Sequence, residues 1–316
     1  MIRKRVSGKK AWGLAAALLL TAFLAACSDQ GAAGQGGAED GKLNVVTTIA
    51  QIADPVSVIG GDRITVQSLM GPGVDPHLFK ASQGDINKLQ GADIILYSGL
   101  HLEANMLRAF EQIGKSRPVL AIGDTLAEED LLKDENGATD PHIWFDIDLW
   151  KQALRAATEQ LQEASPEDAD YFEANMTAYF AEMDAFKAEA VAQIAQIPED
   201  RRVLVTAHDA FGYFGRMLGL DVVGLQGLST EAEIGLSDID QTVALLLEHQ
   251  VPAVFVESSI NPASINAVIE GAKEKGLDLK LGGELFSDAM GAAGTEEGTY
   301  LGMYRHNVET ISHALK

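Results

Sequence analysis

Histidine and aspartate recur in four short stretches: Asp75-Pro76-His77, Asp140-Pro141-His142, Ala207-His208-Asp209-Ala210-Phe211 and Phe286-Ser287-Asp288. Three imidazoles and one carboxylate, each set shortly after a run that reads as a strand, are the donors that a four-coordinate divalent metal requires. Asp-Pro holds the backbone before each of the first two histidines in an extended or turn conformation, which aims the next side chain. His208 lies between a strand reading at 202–206 and a helix reading at 210–218, at the carboxyl edge of a parallel sheet where ligands collect. Asp288 follows another strand in the run Gly282-Gly283-Glu284-Leu285-Phe286-Ser287-Asp288, and taken alone it reads as a cap or turn residue rather than a ligand. His249, at a helix end before Pro252, and His306 and His313, on the last helix, read as cap or surface residues. His101, after Gly99-Leu100, is the spare histidine.

The elements that must position these groups follow from the patterning. In the first half, β-rich apolar runs at 43–48, 64–70, 94–98 and 118–122 alternate with helical patterns at 50–59, 83–90 and 103–113, an order that implies a parallel sheet. The second half repeats it, with strands at 203–206, 253–257 and 277–281 and helices at 210–218, 237–249, 262–275 and 298–315. The expected fold class is α/β, two lobes each with a mainly parallel sheet flanked by helices.

Between the lobes, Ser165 reads as an N-cap with Pro166 at the first helical position, and no proline or glycine follows until Pro198. About 30 residues, or about 45 Å, can therefore be one helix. Tyr171, Phe172, Met176, Tyr179, Phe180, Met183, Phe186, Val191 and Ile194 mostly fall three or four apart, a packing stripe. A helix this long resists large hinge closure. The organisation read from the sequence is a leader at 1–26, a tether at 27–42, a lobe at 43–164, a linking helix at 165–198 and a lobe at 199–316.

Arg3, Lys4, Arg5, Lys9 and Lys10 precede an apolar stretch at 11–26 that is short for a bilayer span, the pattern of a signal peptide. It ends Leu24-Ala25-Ala26-Cys27, small residues before the only cysteine of the chain, and resembles a lipobox. Cleavage there and acylation of Cys27 would anchor the protein to the membrane. A single acylated cysteine leaves no internal disulfide and no thiolate ligand, so every metal donor is nitrogen or oxygen. Loss of the leader's five cations moves the formal net charge from −22 to −27, which argues against nucleic acid as a partner. The Gly, Ala and acidic residues at 31–41 suit a flexible tether.

Together, Asp75-Pro76-His77, Asp140-Pro141-His142-Ile143-Trp144, the run from Thr206 to Phe214, Ser229-Thr230-Glu231-Ala232-Glu233, Val256-Glu257-Ser258-Ser259 and the run from Gly283 to Asp288 resemble the TroA-like (cluster A-I, cluster 9) solute-binding lipoproteins of zinc, manganese and iron ABC transporters. The resemblance covers 43–316. It implies two α/β lobes joined by one rigid helix, with the metal buried between them on His77, His142, His208 and Asp288, and Glu257 orienting a ligating imidazole. It further implies a monomer that passes its metal to an ABC permease with its ATPase on the extracytoplasmic side of the membrane.

Two departures narrow the reading. The stretch at 126–139, where many zinc-dedicated members carry a His-rich loop, holds no histidine. Many manganese-dedicated members have a glutamate where this chain has His208, and the set here is softer and suits zinc. Zinc, manganese and iron remain open as cargo. The alternatives are a metallohydrolase, which needs an open coordination position that four protein ligands would fill, and a surface adhesin, for which no residue speaks. With imidazole pKa values near 6.5, protons compete for the ligands, and binding is expected to weaken between roughly pH 7 and 5.

Overall fold

The computed structural model describes residues 41–316, so the leader, Cys27 and the tether up to residue 40 lie outside the described residues. Four strands, β1 (Leu43–Thr47), β2 (Ile64–Ser68), β3 (Ile94–Tyr97) and β4 (Val119–Ala121), form one sheet in the order β2-β1-β3-β4. All its pairings are parallel. The central strands carry Val45, Val46, Ile94, Ile95 and Leu96, all buried, because helices cover both faces of a parallel sheet and leave no polar side. The crossovers run through α1 (Ala50–Gly60), α2 (Gln83–Gly91) and α3 (Leu107–Ile113). Ser82 caps α2 in a full capping box with Asp85, which satisfies two orphan amides at the helix start.

The second half pairs β5 (Val203–His208) with β6 (Asp221–Gln226), and β7 (Ala253–Glu257) with β8 (Lys280–Leu285), both parallel. β5 packs beside β7. Its helices are α6 (Gly212–Leu218), α7 (Leu236–His249), α8 (Ala263–Glu274) and α9 (Tyr300–Leu315). The result is the two-lobed α/β arrangement expected from the patterning.

Two helices lie between the sheets. α4 (Ile147–Ala164) was not among the expected elements. Its signals are Asp146, whose carboxylate accepts from the amides of Asp148 and Leu149, and a buried face of Ile147, Trp150, Leu154, Ala157 and Leu161. α5 (Ala169–Ile194) is the long helix, 26 residues in one piece. Its start differs from the expectation: Ser165 ends α4, Pro166–Asp168 make a single 3-10 turn, and α5 begins at Ala169. Its buried stripe is Phe172, Met176, Tyr179, Met183, Phe186, Ala190 and Ile194. Tyr171 and Phe180 lie at the stripe's edge under the guanidinium groups of Arg63 and Arg155, and Val191 is exposed.

The strand β6 was also unexpected, and β8 lies three residues later than the reading at 277–281. β6 contains Gly224, where a Cβ would stand 2.4 Å from the Asp209 nitrogen and 2.6 Å from the His208 carbonyl carbon. A glycine that weakens strand propensity is required here by close backbone approach. One core runs from β1 and β3 through α4 and α5 to Phe211, Phe214, Tyr300, Tyr304 and Val308, and a smaller one lies under α7 and α8.

Candidate metal centre

The three imidazoles and the carboxylate come from four separate places. His77 stands on the loop after β2, His142 before the 3-10 turn Ile143–Phe145, His208 at the end of β5, and Asp288 just past β8. One ligand-capable atom from each lies within 4.8 Å of every other. His77 Nε2 is 3.4 Å from His142 Nε2. Asp288 Oδ1 is 3.3 Å from His142 Nε2, and Oδ2 is 3.3 Å from His208 Nε2 and 3.8 Å from His77 Nε2. A tetrahedron with metal–ligand bonds of about 2.0 Å has edges of about 3.3 Å, so these separations suit a divalent ion at the centre.

All four residues are buried. His208 Nε2 and both Asp288 carboxylate oxygens have no hydrogen-bond partner. Buried polar atoms left unpaired are costly unless something meets them, and a cation at this point would meet all three.

The supporting groups set the tautomers. Glu257, at the end of β7, accepts from the His208 amide at 2.9 Å and from Nδ1–H at 2.6 Å, which turns the Nε2 lone pair inward. Asp140 does the same for His142, accepting from its amide at 2.9 Å and from Nδ1–H at 2.7 Å with one oxygen. Sequence reading assigned no such role to Asp140; the signal was the aspartate two positions before the histidine. The other Asp-Pro-His differs. Asp75 Oδ1 accepts from the His77 amide at 2.9 Å, but Oδ2 accepts from Thr230 Oγ1 at 2.6 Å.

Further supports were invisible in the sequence because they bind backbone. Asn105 donates to the His77 carbonyl at 2.8 Å. Buried Asn307 on α9 accepts from the Phe286 amide at 2.9 Å and donates to its carbonyl at 2.7 Å, which fixes the chain two residues before Asp288. Gln51 on α1 donates to the Ser287 carbonyl at 3.2 Å. His101 is exposed with φ 68° and stands outside the cluster. His249 and His313 are exposed, and His306 Nε2–H donates to the Glu284 carbonyl at 2.9 Å.

Burial pushes the His77 ring down to about 4. Burial also opposes charge on His142, but its hydrogen bond and attraction to Asp140, with Asp288 beyond, raise it to about 9. For His208 the burial effect is outweighed by Glu257 and Asp288, which lift it well above 6.5. Burial would raise Asp288, yet His208 and His142 hold it well below the usual carboxylate range.

Two α/β lobes bridged by a long helix, with a buried four-donor cage between them, define a receptor that encloses a metal ion. The chain belongs to the ZnuA family, zinc-uptake complex component A, periplasmic, whose model matches residues 45–314. It is 50% identical over 306 residues, 96% of this chain and 99% of the relative, to the manganese-binding lipoprotein MntA of Bacillus subtilis. The periplasmic zinc binding protein TroA from Treponema pallidum superposes with TM-score 0.85 at 45% identity, over 87% of this chain and 99% of that one. Fe(III)-bound YtgA from Chlamydia trachomatis does so with TM-score 0.76 at 28% identity, over 87% and 98%. Membership makes this chain an extracytoplasmic substrate-binding protein that holds its metal as cargo, not an enzyme.

Proposed function

We propose that this protein is the monomeric, lipid-anchored receptor of a metal ABC transporter, binding one divalent ion on His77, His142, His208 and Asp288 and passing it to a permease driven by its ATPase. The observation that carries this reading is the convergence of four buried donors at tetrahedral separations with three of their atoms otherwise unpaired. Residues 43–164 make one lobe, 165–198 the link and 199–316 the other, and Cys27 carries the acyl anchor. Zinc and manganese are the leading cargoes and iron a third. A three-imidazole, one-carboxylate set accepts zinc readily, while the similar proteins named above are described with manganese, zinc and Fe(III).

Competition titration tests the site. One equivalent of zinc should bind per chain; His208→Ala should lower affinity at least about tenfold, since loss of even an outer support of a ligand costs about that much, and His313→Ala should leave it unchanged. Equal losses in the two variants would refute the ligand assignment. His208→Glu exchanges nitrogen for hard oxygen and should shift preference from zinc toward manganese. Cys27→Ser should move the protein from membrane to soluble fractions; a variant that stays on membranes lacking the permease would contradict the anchor.

A further inference from the structure

The Ser229-Thr230-Glu231-Ala232-Glu233 motif contributes no donor to the cage, yet one of its side chains reaches the opposite half of the molecule. Thr230 Oγ1 donates to Asp75 Oδ2 at 2.6 Å across 155 residues of sequence. The short separation marks a charge-assisted hydrogen bond. Asp75 uses its other oxygen on the His77 amide, so one carboxylate joins the turn that presents a ligand to a loop of the other lobe.

The far end of that loop is tied beside a second ligand. Gln226, the last residue of β6, stands opposite His208 in the β5–β6 register. Its side-chain amide donates to the Thr230 carbonyl at 2.8 Å and to the Ala232 carbonyl. The path therefore runs from His208 through the strand pair to Gln226, along the loop to Thr230, and through Asp75 to His77.

The setting of this bond distinguishes it from the other contacts between the halves. Among the described residues, Gln51 reaches across from α1, Tyr213 and Arg216 from α6, and Tyr300 and Tyr304 from α9. Those are rigid helices. Thr230 sits in the segment between β6 and α7, residues 227–235, which has no regular structure and is exposed at Gly227, Glu231, Ala232, Glu233 and Gly235. An irregular, largely exposed segment, held to the core by Ile234, is the kind of element that opens locally at low cost.

We infer that the segment 227–235 is a clasp between the His77 turn and the strand pair that carries His208, latched by Thr230 on Asp75, and that the latch sets how slowly the ion escapes. The inference rests on the proposed ligand set. Metal on His77 fixes its turn and with it Asp75, which favours docking of Thr230. By reciprocity, docking of Thr230 favours retention of the metal. Release to a partner then requires this one bond to break before the helical contacts move.

The test uses zinc-loaded protein and an excess of a chromogenic chelator, with release followed by stopped flow. Thr230→Val keeps the shape and removes the donor, and should release zinc about tenfold faster, the loss of one hydrogen bond to a charged acceptor. Thr230→Ser keeps the hydroxyl and should stay within about twofold of the parent. Amide exchange at 228–234 in the loaded protein should rise in the valine variant alone. A valine variant that releases zinc at the parent rate, or a serine variant as fast as the valine one, overturns the clasp while one-to-one binding leaves the site standing. A parent protein that takes up no zinc overturns both.

Discussion

At the scale of residues, the cage is a set of buried groups whose charges have been balanced against one another before metal arrives. Against burial, His208 and His142 hold Asp288 below the usual carboxylate range, and against burial Asp140, Glu257 and Asp288 raise the two imidazoles. Metal competes with protons for these rings. Reference values placed the competition between roughly pH 7 and 5, whereas an imidazole raised to about 9 moves it upward. Apparent zinc affinity should therefore keep rising as pH goes from 6.5 through about 9. The sign for stability is opposite in the metal-free protein. A histidine whose folded pKa is raised stabilises fully below its unfolded value, and that contribution is lost as pH climbs through about 9. Metal-free protein should melt lower at the alkaline end of this window, and loaded protein should not. Titrations that level off above neutrality would show that His142 and His208 carry no protons there.

At the scale of elements, each ligand depends on a strand end or a loop that other elements hold in place. β6 is the clearest case, since Gly224 lets its backbone pass against His208 and Asp209. Gly224→Ala should cost about 1–3 kcal/mol through overpacking and weaken metal binding by about tenfold, as loss of an outer support does. Melting temperature and zinc titration together decide it; a variant that loses stability but keeps full affinity would mean that β6 does not position His208. The same glycine explains why β6 escaped sequence reading, because DVVGLQ breaks the apolar run that marks a buried strand. α4 was not expected for another reason: Ser165-Pro166 separates it from the proline- and glycine-free run that marks the long helix. The first four strands were legible because consecutive β-branched and apolar residues have few alternatives in a sheet covered on both faces.

At the scale of the whole molecule, two lobes share much of one core. Leu204 of β5 packs in the larger cluster with Phe145, Phe214 and Tyr304, while its neighbour Val205 packs in the smaller one under α7 and α8, so a single strand couples both. Tyr300 and Tyr304 on α9 donate to the carbonyls of Trp144 and Phe145, each at 2.7 Å, and pin the turn after His142. Denaturant unfolding of the chain should accordingly be one cooperative transition by near- and far-ultraviolet circular dichroism. Tyr304→Phe should lower stability by about 1 kcal/mol without splitting that transition. Two separated transitions would show that the lobes fold independently. This coupling would limit hinge motion and leave the clasp proposed at 227–235 as the low-cost way to open the site.

The sequence by itself marked the candidate donors and determined the parallel α/β halves, the long central helix and the family, because side-chain type, β-rich runs and freedom from proline and glycine are local properties. It placed Glu257 beside an imidazole only through the motif it shares with relatives. Tertiary structure alone decided which oxygen meets which ring. The two Asp-Pro-His motifs read alike, yet Asp140 turns back onto its own histidine and Asp75 reaches across to Thr230. Asp75 and Thr230 lie 155 residues apart, and no pattern of neighbouring residues encodes their contact; it exists only once the sheets and helices of both lobes have brought distant chain segments to one point.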